Sequence, residues 1–191
     1  MAQATGVPEP RVNPALVFVP FLIGAAVAVF LGVYSKVHDP TGEATNQFFF
    51  SNTLAMKAWF TTFAVILALV QLYTSLRIYG KASLPPRELP VWFGALHRLS
   101  GIAAFLFTLP VAYHCLWSLG FDPTGNTRVF FHSVFGLFFY GAFAAKVVIV
   151  RSRRMPGWAL PAVGGAVFTV LVLVWLTSSL WYYDTVGFPE F

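Results

Sequence analysis

ALVFVPFLIGAAVAVFLGVY, residues 15–34, runs for twenty positions without a charge. As a helix rising ~1.5 Å per residue it reaches across the ~30 Å hydrocarbon core of a bilayer. Lipid offers backbone N–H and C=O groups no partner, so a segment this apolar satisfies them internally as a helix. Its apolar residues are continuous rather than alternating, which excludes a barrel strand. Four similar runs follow, and the spans read as about 14–34, 53–79, 91–119, 130–150 and 158–182. The polar turns between them are HDPTGEATNQ (38–47), GKASLPPREL (80–89), FDPTGNTR (121–128) and RSRRMPG (151–157), and each holds the Gly and Pro that end regular structure. A cleaved signal peptide also begins with an apolar run. Here a long polar stretch precedes the run and no small-x-small site follows before Lys36, so span one is expected to be retained.

Composition agrees. Of 191 residues, 58% are hydrophobic and 10% charged, against roughly 25% charged in soluble domains. Five spans leave no room for a separate soluble domain, so residues 1–191 read as a single transmembrane domain covered by membrane lipid. The net charge of +5 therefore does not point to nucleic acid. Basic residues set the orientation. Arg77, Lys81, Arg87, Arg151, Arg153 and Arg154 fall at the second and fourth connections, whereas Asp39, Glu43, Asp122, Asp184 and Glu190 fall on the other side with Lys36, Lys57 and Arg128. The expected architecture is an all-α polytopic transmembrane helix bundle of five spans in the cell inner or plasma membrane, N-terminus inside and C-terminus outside. Trp181, Tyr182 and Tyr183 would anchor the outer end of span five at the interface.

DPTGEATNQFFFS (39–51) and DPTGNTRVFFHS (122–133) each follow an odd-numbered span and open an even-numbered one. Two origins are open. One is ordinary Asp-Pro-x-Gly turn chemistry. The other is an old duplication relating spans one and two to spans three and four, with Phe50 standing where the second copy has His132.

Ionisable side chains inside a bilayer are costly and point to sites. His114, in LPVAYHCLWSLG (109–120), and His132 lie near the outer ends of spans three and four, about 9 Å and about 6 Å in at ~1.5 Å per residue. A short loop joins the two helices, so they are expected to be neighbours with the imidazoles at matched depth. Two facing imidazoles can take both axial positions of a haem iron. The expectation is haem b bound by His114 and His132, with Gly136 one turn below His132 giving the porphyrin room, and with Arg128, Lys36 and Lys57 available to its propionates. The alternative is that each histidine only hydrogen-bonds a neighbouring helix. Zinc would want further Cys, His or carboxylate ligands, and no carboxylate lies within a span. Pro110, four residues before His114, removes a helix hydrogen bond and either aims His114 or serves packing alone. Cys115, the single cysteine, reads as a small core residue.

His97 lies 17 residues before His114 and about 25 Å from it along the same helix, so the two cannot share a haem. Lys146 either snorkels to the inner surface or faces an inner site with His97 and Arg98, where Met155 is the remaining candidate ligand. One haem is expected, and a second only if that inner site is built.

LHRLSG (96–101) resembles the HRxSG or HRxTG signature of the membrane-anchor cytochrome b subunit of succinate dehydrogenases. The likeness implies quinone or propionate contact for His97, Arg98 and Ser100. It covers six residues, and that family has three spans per subunit with its haem histidine elsewhere. Paired histidines on adjacent short helices also resemble small b-type cytochromes, the cytochrome b561 group among them. The whole chain resembles uncharacterised five-helix bacterial membrane proteins, a likeness that implies no function.

These readings make the chain a haem b-binding electron-transfer subunit of a respiratory-type membrane complex, and, if part of an enzyme, of an oxidoreductase. It would exchange electrons with other subunits or a soluble electron carrier at the outer face, with quinone as a further candidate partner. A cofactor-free accessory subunit is the alternative, with Gly24, Ala25, Ala26, Ala28 and Gly32 of span one packing on a partner. A small transporter has less support, since Gln71 is the only mid-span polar residue of note. No nucleophile triad, phosphate loop or metalloprotease motif supports hydrolytic chemistry.

Overall fold

The computed structural model describes residues 14–188 apart from 45, 84, 86, 87, 125, 153 and 154. Five helices in it are long and apolar enough to cross a membrane: α1 (Pro14–Val37), α2 (Thr53–Ile78), α3 (Phe93–Leu119), α4 (Thr127–Arg151) and α5 (Ala159–Thr185). The described residues contain no strand. Asn52 starts α2 by accepting from the Ala55 N–H at 2.8 Å, and Asn126 starts α4 by accepting from the Arg128 N–H at 2.8 Å. The second cap explains why α4 begins three residues before the expected 130. The first and third connections lie at one end of the bundle and the second and fourth at the other. Of the residues that argue for orientation, Arg87, Arg153, Arg154 and Glu190 lie outside the described residues.

α2 packs along α3, α1 along α4, and α4 along α5, with a lesser contact between α2 and α5. α3 and α4, expected to be neighbours, are not a close backbone pair. The small face of α4 is taken by α1. A Cβ at Gly24 would stand 2.5 Å from the Gly141 carbonyl oxygen, and one at Gly141 would stand 2.6 Å from that of Gly24, with Ala28 and Ala145 beside them. Only glycine permits this approach, the small-x-x-x-small contact of membrane helices. The small residues Gly24 and Ala28 are thus engaged inside the fold and not presented to a partner subunit. Phe18, Leu22, Val29 and Phe30 of α1 are exposed, as lipid-facing side chains would be.

α3 is held by α2 through Gln71, whose amide donates to the His97 carbonyl and, at 2.7 Å, to Ser100 Oγ. Gly101 makes room for that amide, since a Cβ there would lie 2.9 Å from Gln71 Oε1. Between α3 and α4 stand large rings. Phe105 stacks on Phe143 with centroids 4.0 Å apart, and the Tyr140 hydroxyl donates to the Thr108 carbonyl at 2.9 Å. The rings hold these helices apart and leave space on one side of them.

α3 and α5 both widen into π-helix toward the same end, over His114–Leu119 and Leu176–Leu180. The first π segment begins four residues after Pro110, which has no N–H to give to the α-helical ladder. π turns are uncommon and recur at functional sites. The wider turn also changes which residues of α5 face inward. Tyr182 is only 8% exposed, and the Tyr183 hydroxyl pairs with Thr62 Oγ1 at 2.8 Å. Of the expected interface anchor, only the Trp181 ring keeps substantial exposure, at 41%.

Candidate functional site

A cavity of about 270 Å³ lies among α2, α3, α4 and α5, in the half of the bundle that carries the first and third connections. Thr108, Phe139, Tyr140 and Leu171 close it toward the middle of the bundle, and Phe121, Arg128 and Trp181 border its opposite end. Both π segments contribute to the wall: Cys115, Leu116 and Leu119 from α3, Ser178 and Ser179 from α5.

His132, in the second turn of α4, lines this cavity, and its Nδ1 is 3.1 Å from Thr177 Oγ1. The Thr177 hydroxyl also reaches carbonyls of its own helix, Leu173 O at 2.8 Å and Val174 O at 3.1 Å. When its proton goes there, it accepts from Nδ1–H, and Nε2 is the ring nitrogen left as acceptor. Arg128, one turn earlier on the same face of α4, donates to the Thr177 carbonyl at 2.6 Å and lies 3.7 Å over the Trp181 ring. Thr177 thus anchors both side chains. Cys115 lines the same cavity as His132 and Lys57.

Lys57 and Arg128 both line the cavity, and no Asp or Glu among the described residues does. Gly136 lines it too, and a Cβ built there meets nothing within 4 Å, so the missing side chain is open space. Ser179 is wholly buried in the same wall, and its Oγ has no hydrogen-bond partner. Buried polar groups are nearly always paired, so this oxygen has unused capacity toward a ligand.

Two expected site residues stand apart from this group. His114 is 6% exposed and does not line the cavity. It belongs to the part of α3 that meets the first connection, where the Ser118 hydroxyl donates to the Glu43 carbonyl. Lys36 is exposed and does not line the cavity either. The spacing of His114 and His132 along the chain matched their depth but could not tell which face each would present.

At the other end, His97 Nδ1 pairs with Thr74 Oγ1 at 2.7 Å. Ser100 is buried, accepts from Gln71 and donates to Leu96 O at 2.7 Å. The LHRLSG segment therefore works locally as a clamp between α2 and α3. Arg98 is exposed. Lys146 is half-buried on α4, within electrostatic reach of His97. Met155 packs on the cluster of Ala145, Ile149, Ala159 and Val163, which accounts for it without a ligand role.

Cys115, Thr177 and Ser179 carry site roles that spacing alone did not assign. For Thr177 and Ser179 a signal existed: LTSSL (176–180) is a polar run inside the apolar fifth span. For Cys115 none did, because its meaning depends on α4 standing opposite. Among the described residues no group of three or more His, Cys, Asp or Glu is placed to hold a metal ion. A bare ion is therefore a poor fit. A macrocycle that brings its own four nitrogen ligands asks only for axial donors, which His132 offers.

The chain belongs to DUF6529, a protein family of unknown function, whose model matches residues 17–190. No curated protein and no solved structure matches it.

Proposed function

We propose that this chain holds haem b in its cavity with His132 on the iron, and acts as an electron-transfer subunit of a membrane redox complex. The observation that carries the reading is the His132–Thr177 pair, which engages Nδ1 with Thr177 while the ring lines the cavity. Second-partner bonds of this kind fix the orientation of metal-ligating histidines and raise their basicity. When bound, haem supplies a one-electron iron couple. Arg128 and Lys57 supply positive charge for two carboxylates in a wall with no acid among the described residues. Gly136 leaves the surface of α4 flat below His132. Tyr140, whose hydroxyl donates to the Thr108 carbonyl, closes the floor with Phe139 and Leu171.

Arg77, Lys81 and Arg151 at the opposite end favour the inside for that end. The cavity then faces outward from the cell inner or plasma membrane, where a soluble carrier or another subunit would exchange electrons with it. Ser100 and His97 are engaged with Gln71 and Thr74, so the LHRLSG motif is read as helix packing and not as a quinone contact.

The test is a reduced-minus-oxidised absorbance spectrum of the protein purified in detergent from haem-sufficient cells. A b-type α-band with about one haem per chain supports the reading. Monodisperse protein with no Soret band, and no uptake of added haemin, overturns it.

A further inference from the structure

We propose that the iron is held from one side only, by His132, and that its second axial position takes a neutral diatomic gas that accepts a hydrogen bond from Ser179. The inference rests on the haem reading above. Two faces of α5 meet two different helices. Thr177 and, four residues on, Trp181 turn to α4, where they meet His132 and Arg128. Trp175 and Tyr183 turn to α2: the Trp175 indole donates to Thr62 Oγ1 at 2.9 Å, and the Tyr183 hydroxyl pairs with the same oxygen at 2.8 Å. Ser179 lies four residues from each of these two, about one turn away, and so shares their face. His132 and Ser179 both line the cavity. They do so from different walls, His132 on the α4 side and Ser179 on the α2 side.

Among the described residues that line the cavity, His132 is the only imidazole and none is a methionine. The lining from α2 and α3 includes Ala58, Thr61, Val111, Ala112 and Leu116, small or apolar, with Cys115 beside them, whose protonated thiol is a weak acceptor. Such a wall admits a small uncharged molecule more readily than an anion. Most hydroxyl protons around it are spent on carbonyls: Thr61 on Lys57 O at 2.8 Å, Thr108 on Phe105 O at 2.7 Å, Ser178 on Val174 O at 2.7 Å and Tyr140 on Thr108 O at 2.9 Å. Ser179 differs, since it is wholly buried and its Oγ has no partner. Buried hydroxyls are nearly always paired, so this donor points to a molecule that binds beside it. Hydrogen-bond donors and steric access on the far side of a haem decide between gas binding and electron transfer alone. One imidazole, a small apolar wall and one spare hydroxyl favour gas binding. Such binding adds a molecule without moving an electron or a proton, so it needs no co-reactant.

The experiment adds carbon monoxide to the reduced, haem-loaded protein in detergent and compares wild type with Ser179→Ala and His114→Ala. Reduced wild type is expected to show the broad α-band of five-coordinate haem and to take up one carbon monoxide per haem, and His114→Ala to do the same. Ser179→Ala is expected to bind the gas too, but with the C–O stretch moved to higher frequency and dissociation about 2- to 10-fold faster, as the loss of one hydrogen bond implies. If Ser179→Ala fails to fold, Ser179→Cys takes its place, since it keeps the bulk and weakens the donor. A sharp low-spin spectrum in reduced wild type, with no uptake of carbon monoxide, overturns the inference and leaves the haem reading standing. Uptake with the same stretch and the same dissociation rate in Ser179→Ala as in wild type does so too. Absence of haem from folded wild type overturns both.

Discussion

His97 and His132 sit at opposite ends of the bundle, and a threonine on a neighbouring helix holds the Nδ1 of each, Thr74 at 2.7 Å and Thr177 at 3.1 Å. What surrounds them differs. Around His97, Gln71 and Ser100 bond across α2 and α3, and Gly101 lets the helices close. Around His132, rings and two π segments keep the helices apart, and the polar groups line a cavity with Lys57 and Arg128. A histidine–threonine pair is therefore not in itself a site. It becomes one where packing leaves the second nitrogen something to face.

Substitutions at the closed contacts should break the contrast most strongly. Gly141→Leu drives a side chain into the Gly24 backbone, and overpacking of this kind is expected to cost about 3 kcal/mol or more, read as loss of monodisperse protein or a large drop in melting temperature. Gly164→Ala, where a Cβ meets nothing within 4 Å, should stay within about 0.5 kcal/mol of wild type. Equal losses in the two variants would show that the α1–α4 crossing is not the tight contact described.

Next in size is Thr177→Val. It removes the Nδ1 partner of His132 and should weaken haem binding by about 10- to 100-fold, measured by haemin titration, with little change in the melting of haem-free protein. Thr74→Val at the other end should leave haem binding as it is.

Gln71→Leu removes two interhelical donations and should lower stability by about 1 kcal/mol, the usual scale for such bonds in membranes, while the haem-to-protein ratio holds. A fall in that ratio without loss of stability would return the LHRLSG segment to a role in cofactor or quinone contact. The smallest effect is expected from Gly136→Ala, which adds a methyl in open space. Haem-free stability should shift by less than about 0.5 kcal/mol, with a few-fold loss in haem affinity. No loss would place the porphyrin away from that turn.

The five spans were legible because lipid removes every alternative to a helix, so uncharged runs such as residues 15–34 have one solution. Which helices pair was not legible. The chain-local argument made α3 and α4 neighbours, but pairing is decided by shape where helices meet: Gly24 against Gly141 and Gln71 against Gly101 let helices close, whereas Phe105 against Phe143 holds them apart. His132, Arg128 and Gly136 could be picked out because one helical face carries them at fixed spacing. His114 could not be separated from Cys115 in the same way, because the helix departs from 3.6 residues per turn at His114.

The most direct test of the contrast is the haem-to-protein ratio of His132→Ala beside that of His97→Ala, both purified as folded protein. A cavity at one end and a clamp at the other predict almost no haem in His132→Ala and a near wild-type ratio in His97→Ala. Retention of haem by His132→Ala, or its loss from a well-folded His97→Ala, would contradict that assignment.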